Sequence, residues 1–399
     1  MKPYWIKISL FFLFISALVG SSLRGFEFLM VPFKYQNLVH AHSHVAFQGW
    51  VYTILLFLIT VVFLTKKQIQ KDKYSLQLAI TIVIVLGILV SFTLEGYGVY
   101  SILFSSIFQL CTYWLFISFL KSINRKPQLR HSISIRFIKT GFLLGFLSSL
   151  IPIGLGILSS KGLNNSEAYR SLIYSFLHLQ YNGWFLFVLL GITFKLLDNK
   201  NVLYNHKQAQ IFYWFFSISI IPATCLSFLG MSYREYILIP AVIAAVCQII
   251  GMIYWGSIIK TITPWIIKKN RWMKLFLFTF FFSFTLKVIL QFLSVFHVFK
   301  YFAFFNKSIV LAYLHLSLIG TISFLIIAIL FELKFLKINF VSKIGSCLLI
   351  FGFYITQAIL VGEGLCLILI PKGLFTGSCL MTLGVLLLII NKQKSTLEK

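Results

Sequence analysis

The sequence predicts an all-α fold: a polytopic membrane protein of about twelve transmembrane helices in three pseudo-repeated four-helix units. Three observations point there. The 399 residues are 59% hydrophobic and only 11% charged, with a mean hydropathy of +0.93; a soluble domain of this size carries far more charge. The apolar residues gather into twelve runs of spanning length. A histidine motif recurs in three of those runs at a near-constant interval.

In order, the runs lie at 5–23, 42–65, 75–93, 98–120, 137–158, 170–193, 210–229, 237–259, 274–296, 309–330, 344–362 and 364–390. Only helices satisfy their own backbone groups in lipid over such lengths. A membrane barrel would show alternating polarity instead. The first run has Lys2 and Lys7 near its start and small residues at its end (Ala17, Gly20, Ser21, Ser22), as a signal peptide would. It is read as a retained span, because it completes the first group of four. The chain is thus a single membrane domain over 1–399, with pseudo-repeats near 1–135, 136–270 and 271–391 and a cytoplasmic tail over 392–399.

Charge sets the orientation. With the N-terminus inside, 26 of the 35 Lys and Arg residues fall on the inner side and eight on the outer. This bias places both termini in the cytoplasm and the protein in the plasma (inner) membrane. The net charge of +26 does not imply nucleic acid, because the basic residues occur in short runs between apolar segments. The six cysteines (Cys111, Cys225, Cys247, Cys347, Cys366 and Cys379) lie far apart in apolar runs. They read as small core residues.

The recurring motif begins at His40-Ala41-His42-Ser43-His44, at the mouth of helix two. Helix six carries His178 and helix ten His315, spaced 134 and 137 residues on. Each of His44, His178 and His315 has Gly five residues later (Gly49, Gly183, Gly320), and the first two have Trp at six (Trp50, Trp184). The three helices run the same way, so all three histidines are expected in the outer part of the membrane. Helical periodicity puts Gln48 and His40 on the face of His44, and Asn182 and Tyr181 on that of His178. The glycines are expected to admit a neighbouring helix, and the tryptophans to fill lipid-facing space.

A lone histidine near a helix end is most often an interfacial or hydrogen-bonded group. Three at one helix mouth, matched by single ones on two other helices, point to shared ligation of haem or a metal. A zinc or copper site made of imidazoles is the competing reading. Carboxylates are scarce: Glu95, Glu167 and Glu363 lie in or near outer loops. Lys287, in the middle of helix nine, is a second candidate site. Its bland reading is that it snorkels or pairs with Gln291. Arg24, Lys34, Arg170, Arg234, Lys300 and Lys307 lie on the outer side, where haem propionates would emerge or where ordinary loop charges would be solvated.

Twelve helices with histidines at the outer ends of helices two, six and ten resemble subunit I of the haem–copper oxidases, a family that includes the cbb3-type oxidases and nitric-oxide reductases. The resemblance spans the chain by topology. It implies a low-spin haem, expected to be b-type, held by His44 (or its neighbours His42 and His40) and His315, and it puts His178 at a copper-ligand position. It implies electron transfer or the handling of O2 or NO, with a cytochrome or quinol as donor. The chain departs from the family at several points. Helix seven (211–229) has no His, helix ten has one, and Asn182 stands where many members have Tyr, with Tyr181 one residue short. The resemblance therefore implies a single bis-histidine haem and an incomplete copper site. NnrS-type membrane haem proteins are a more remote likeness. The alternatives are a secondary transporter lined by imidazoles and a metal-binding membrane protein without haem.

Overall fold

A computed structural model describes residues 4–367 and 369–390. It is 84% helical, with no strand among the described residues. Among those residues, eleven helices are long and apolar enough to cross a membrane, and a pair bent by 51° makes twelve if counted as one span. In chain order they are α1 (Tyr4–Arg24), α2 (Tyr35–Phe63), α3 (Tyr74–Glu95), α4 (Val99–Asn124), α5 (Ile133–Ser160), α6 (Glu167–Asn199), α7 (His206–Ser219, then Pro222–Phe228), α8 (Arg234–Ile267), α9 (Arg271–Leu293), α10 (Lys307–Glu332), α11 (Phe340–Gly364) and α12 (Pro371–Ile390). The expected tail over 392–399 lies outside the described residues.

Side-chain caps set many of the starts. Ser132, Ser166, Asn205, Asn270 and Asn306 each accept a hydrogen bond from a backbone N–H in the first turn of α5, α6, α7, α9 and α10. Asn339 does the same for α11. Such caps satisfy donors that a helix cannot satisfy itself. Large apolar side chains remain exposed along the spans, among them Val83, Ile153, Ile253, Phe278 and Phe351. That is the surface a lipid-embedded helix presents.

The chain divides into two compact units, Met1–Pro127 with Ile326–Lys399, and Gln128–Leu325. In the first, α12 packs on α1, and the Ser21 and Thr382 hydroxyls lie 2.8 Å apart. Helices α11 and α12 meet along a glycine seam. A Cβ at Gly352 would stand 2.6 Å from the Gly377 carbonyl, and one at Gly384 2.7 Å from the Gly345 carbonyl. The seven-residue spacing of both glycine pairs keeps them on one face, where the two backbones touch. In the second unit an aromatic core joins α5 to α8. Phe137 stacks on Phe194 at 5.4 Å and meets the edge of Tyr213 at 5.0 Å, and Phe212 stacks on Trp255 at 5.0 Å.

The tryptophans correct one expectation. Trp50 and Trp184 are 1% and 4% exposed, so they are core residues and do not face lipid. A Cβ at Gly49 would lie 3.0 Å from Phe12 of α1, and one at Gly183 3.1 Å from Leu144 of α5. At both positions the glycine lets a neighbouring helix approach closely, as expected.

Candidate functional site

Each of α2, α6 and α10 changes from α to π geometry at its histidine. The π segments are Val45–Tyr52, His178–Phe185 and Leu316–Ser323. His44 and His315 stand one residue before theirs, and His178 opens its own. Hydroxyls follow the wider winding: Thr321 and Ser323 donate to the carbonyls of Leu316 and Leu318, five residues back. A π segment adds a residue to the turn and re-aims the side chains beyond it, and such segments gather at functional sites.

In the first unit, α2 turns its histidines to two neighbours. His40 and His44 face the end of α3 and the following loop. The His44 ring stacks on Phe92 at 4.0 Å and 17°. Its Nδ1–H donates to Gln48 Oε1 at 3.3 Å, and its Nε2 lone pair accepts from the Tyr97 hydroxyl at 3.2 Å. Tyr97 is 63% exposed, stands between Gly96 and Gly98, and also meets the edge of His40 at 4.6 Å. His42 points the other way. Its Nδ1–H donates to the Ser16 carbonyl of α1 at 2.8 Å, and its ring packs on Gly20, where a Cβ would come within 2.9 Å. The Nε2 of His42 makes no hydrogen bond among the described residues.

In the second unit, His178 is fully engaged. The Ile220 carbonyl lies 3.0 Å from its Nε2 and must accept a proton from it, so Nδ1 is bare and accepts from the Asn182 amide at 3.1 Å. Tyr181 and Asn182 are both buried, and both lie within hydrogen-bonding reach of Tyr313 on α10. Lys287 of α9 is 3% exposed and within electrostatic reach of His178. It neither snorkels nor pairs with Gln291, whose Oε1 is buried with no partner. His315 is half-buried at the start of its π segment.

The expected helical pairs His44–Gln48 and His178–Asn182 are therefore both formed. Among the described residues no group of three or more His, Cys, Asp or Glu is placed to hold a metal, and the cysteines are free thiols. Of the outer basic residues, Arg234 is tied to the carbonyls of Leu229 and Val295 at 3.2 and 2.8 Å. Sequence reasoning missed Tyr97, Phe92, Tyr313 and the Ile220 carbonyl. Only Tyr97 left a trace there, as an aromatic residue between two glycines.

A free imidazole nitrogen whose ring partner is held by a carbonyl or amide is the usual form of a haem or metal ligand. His42 has that form, and His44 comes near it, its Nε2 meeting only the hydroxyl of the exposed Tyr97. His178 does not, since both its nitrogens are taken. No protein-family model matches this chain, and no curated protein matches it.

Proposed function

We propose that the chain is a membrane haem protein, with the α2 histidines supplying a ligand to a b-type haem. The tautomer of His44 carries the proposal. Gln48 holds Nδ1–H, which leaves the Nε2 lone pair directed at nothing more than a hydroxyl on an exposed loop residue. Phe92 fixes the ring plane by stacking. Tyr97 covers Nε2 and can yield its place, because an exposed tyrosine loses little by turning to water. A haem held by two neutral imidazoles would supply one-electron transfer at a six-coordinate iron. The residues around His178 do not fit copper, so no step is assigned to that metal.

The implied role is electron transfer or the handling of a diatomic gas, with a cytochrome or quinol as electron partner. The bias of basic residues supports a plasma-membrane location with both termini cytoplasmic. A haem extraction assay on the purified protein tests the proposal: one haem b per chain is expected, and a colourless, folded preparation from haem-replete cells overturns it. The buried ammonium of Lys287 favours the second reading, a secondary transporter, which that outcome would leave in front.

A further inference from the structure

The second unit holds a charge that nothing described in the structure balances. Lys287 is buried in α9, and its ammonium makes no hydrogen bond or ion pair among the described residues; the Phe284 ring is centred 5.7 Å away. The carboxylates of this unit are elsewhere. Glu167 binds Ser232 across a loop, Asp198 takes the Tyr204 hydroxyl at 2.8 Å, and Glu235 is exposed. A buried unpaired charge is among the costliest features a fold can carry.

The same helix face carries a second anomaly. Ser283 stands one turn before Lys287 and is fully buried, yet its hydroxyl has no partner. Other buried hydroxyls bond back along their own helices: Thr279 to Leu275, Ser317 to Tyr313 and Ser346 to Ser342. A serine that forgoes this bond keeps a donor free. Gln291, one turn beyond Lys287, has a buried, unpartnered side-chain carbonyl. Three successive positions on one buried face thus carry polar groups without a partner, one of them a hydroxyl donor a turn from the cation.

We infer that Lys287 and Ser283 form a site for one small monovalent anion, such as a halide, nitrate or formate. The anion balances the ammonium and accepts a hydrogen bond from the Ser283 hydroxyl. His178 is the titratable group facing Lys287 from α6; with its tautomer fixed by Ile220 and Asn182, it neither competes for the anion nor replaces it. This inference does not depend on haem.

The test is thermal unfolding of the full chain in detergent, at constant ionic strength, as chloride, nitrate or formate replaces gluconate. A saturable rise of a few degrees is expected for the wild type. Lys287→Arg should keep the rise, Lys287→Met should abolish it, and Lys274→Met on the same helix should leave it unchanged. An equal rise in Lys287→Met and wild type overturns the inference. Should Lys287→Met fail to fold, chlorine-35 line broadening on the wild type decides: broadening reversed by nitrate supports the site, and none refutes it. A porphyrin propionate is the other available carboxylate. A response confined to haem-free protein would assign the ammonium to that group and overturn the small-anion site.

Discussion

The backbone carbonyl of Ile220 accepts the Nε2 proton of His178 across 3.0 Å. That carbonyl is free because α7 breaks there. Pro222 starts a 3-10 turn, and the Thr224 N–H turns to the Ile221 carbonyl at 3.0 Å instead. His178 thus closes a gap left by the break. His178→Phe should strand a buried carbonyl and cost about 1–3 kcal/mol, seen as a lower unfolding midpoint with unchanged metal content. Loss of a bound metal in this variant, with stability intact, would restore the copper-ligand reading.

The Tyr97 cap leads to a kinetic expectation. Tyr97→Phe removes the hydroxyl that meets His44 Nε2 while keeping the ring against His40. Haem-free protein carrying this change should take up haem faster than wild type and reach the same final spectrum. Stopped-flow absorbance reads both; an unchanged rate would mean that the tyrosine does not cover the ligand.

The two faces of α2 should separate by mutation. His44→Ala removes the proposed haem ligand, whose ring meets Phe92 of α3 and Tyr97 of the loop after it. His42→Ala removes a hydrogen bond to α1, worth about 0.5–1.5 kcal/mol. The first variant should lose haem, and the second should lose stability and keep haem. Haem content measured beside thermal unfolding distinguishes them, and the reverse pattern would give the axial position to His42.

Close helix approach in the first unit rests on the glycine seam. Gly384→Val places a Cβ within 2.6 Å of the Leu349 backbone nitrogen, where nothing flexible can move aside. The expected loss is at least the 1–3 kcal/mol typical of overpacking. Gly156→Ala, whose Cβ would meet nothing within 4 Å, is the control. Equal stability of the two variants would show that α11 and α12 do not touch as described.

Much of this architecture is legible in the sequence, because apolar run length and the bonding demands of lipid leave little freedom. The spans and the pairs His44–Gln48 and His178–Asn182 follow from periodicity alone. The π segments do not, since a single added residue in a turn leaves no mark on an already apolar run. The tryptophans mislead for a related reason: in a membrane protein hydrophobicity no longer separates inside from outside, and Trp50 and Trp184 are buried. The seven-residue spacing of Gly345 with Gly352, and of Gly377 with Gly384, is visible in the sequence, but which helix each pair faces depends on the fold. Tyr97 and Ile220 act through distant chain segments, which no local pattern reports.

The most direct test of the haem proposal is the visible spectrum of the purified protein, oxidised and dithionite-reduced. A sharp Soret band and a resolved alpha band on reduction are expected, little altered by carbon monoxide, because two imidazoles leave iron no open position. The alpha band should disappear in His44→Ala. A spectrum without haem bands from haem-replete cells, or an alpha band that survives that substitution, would contradict the account.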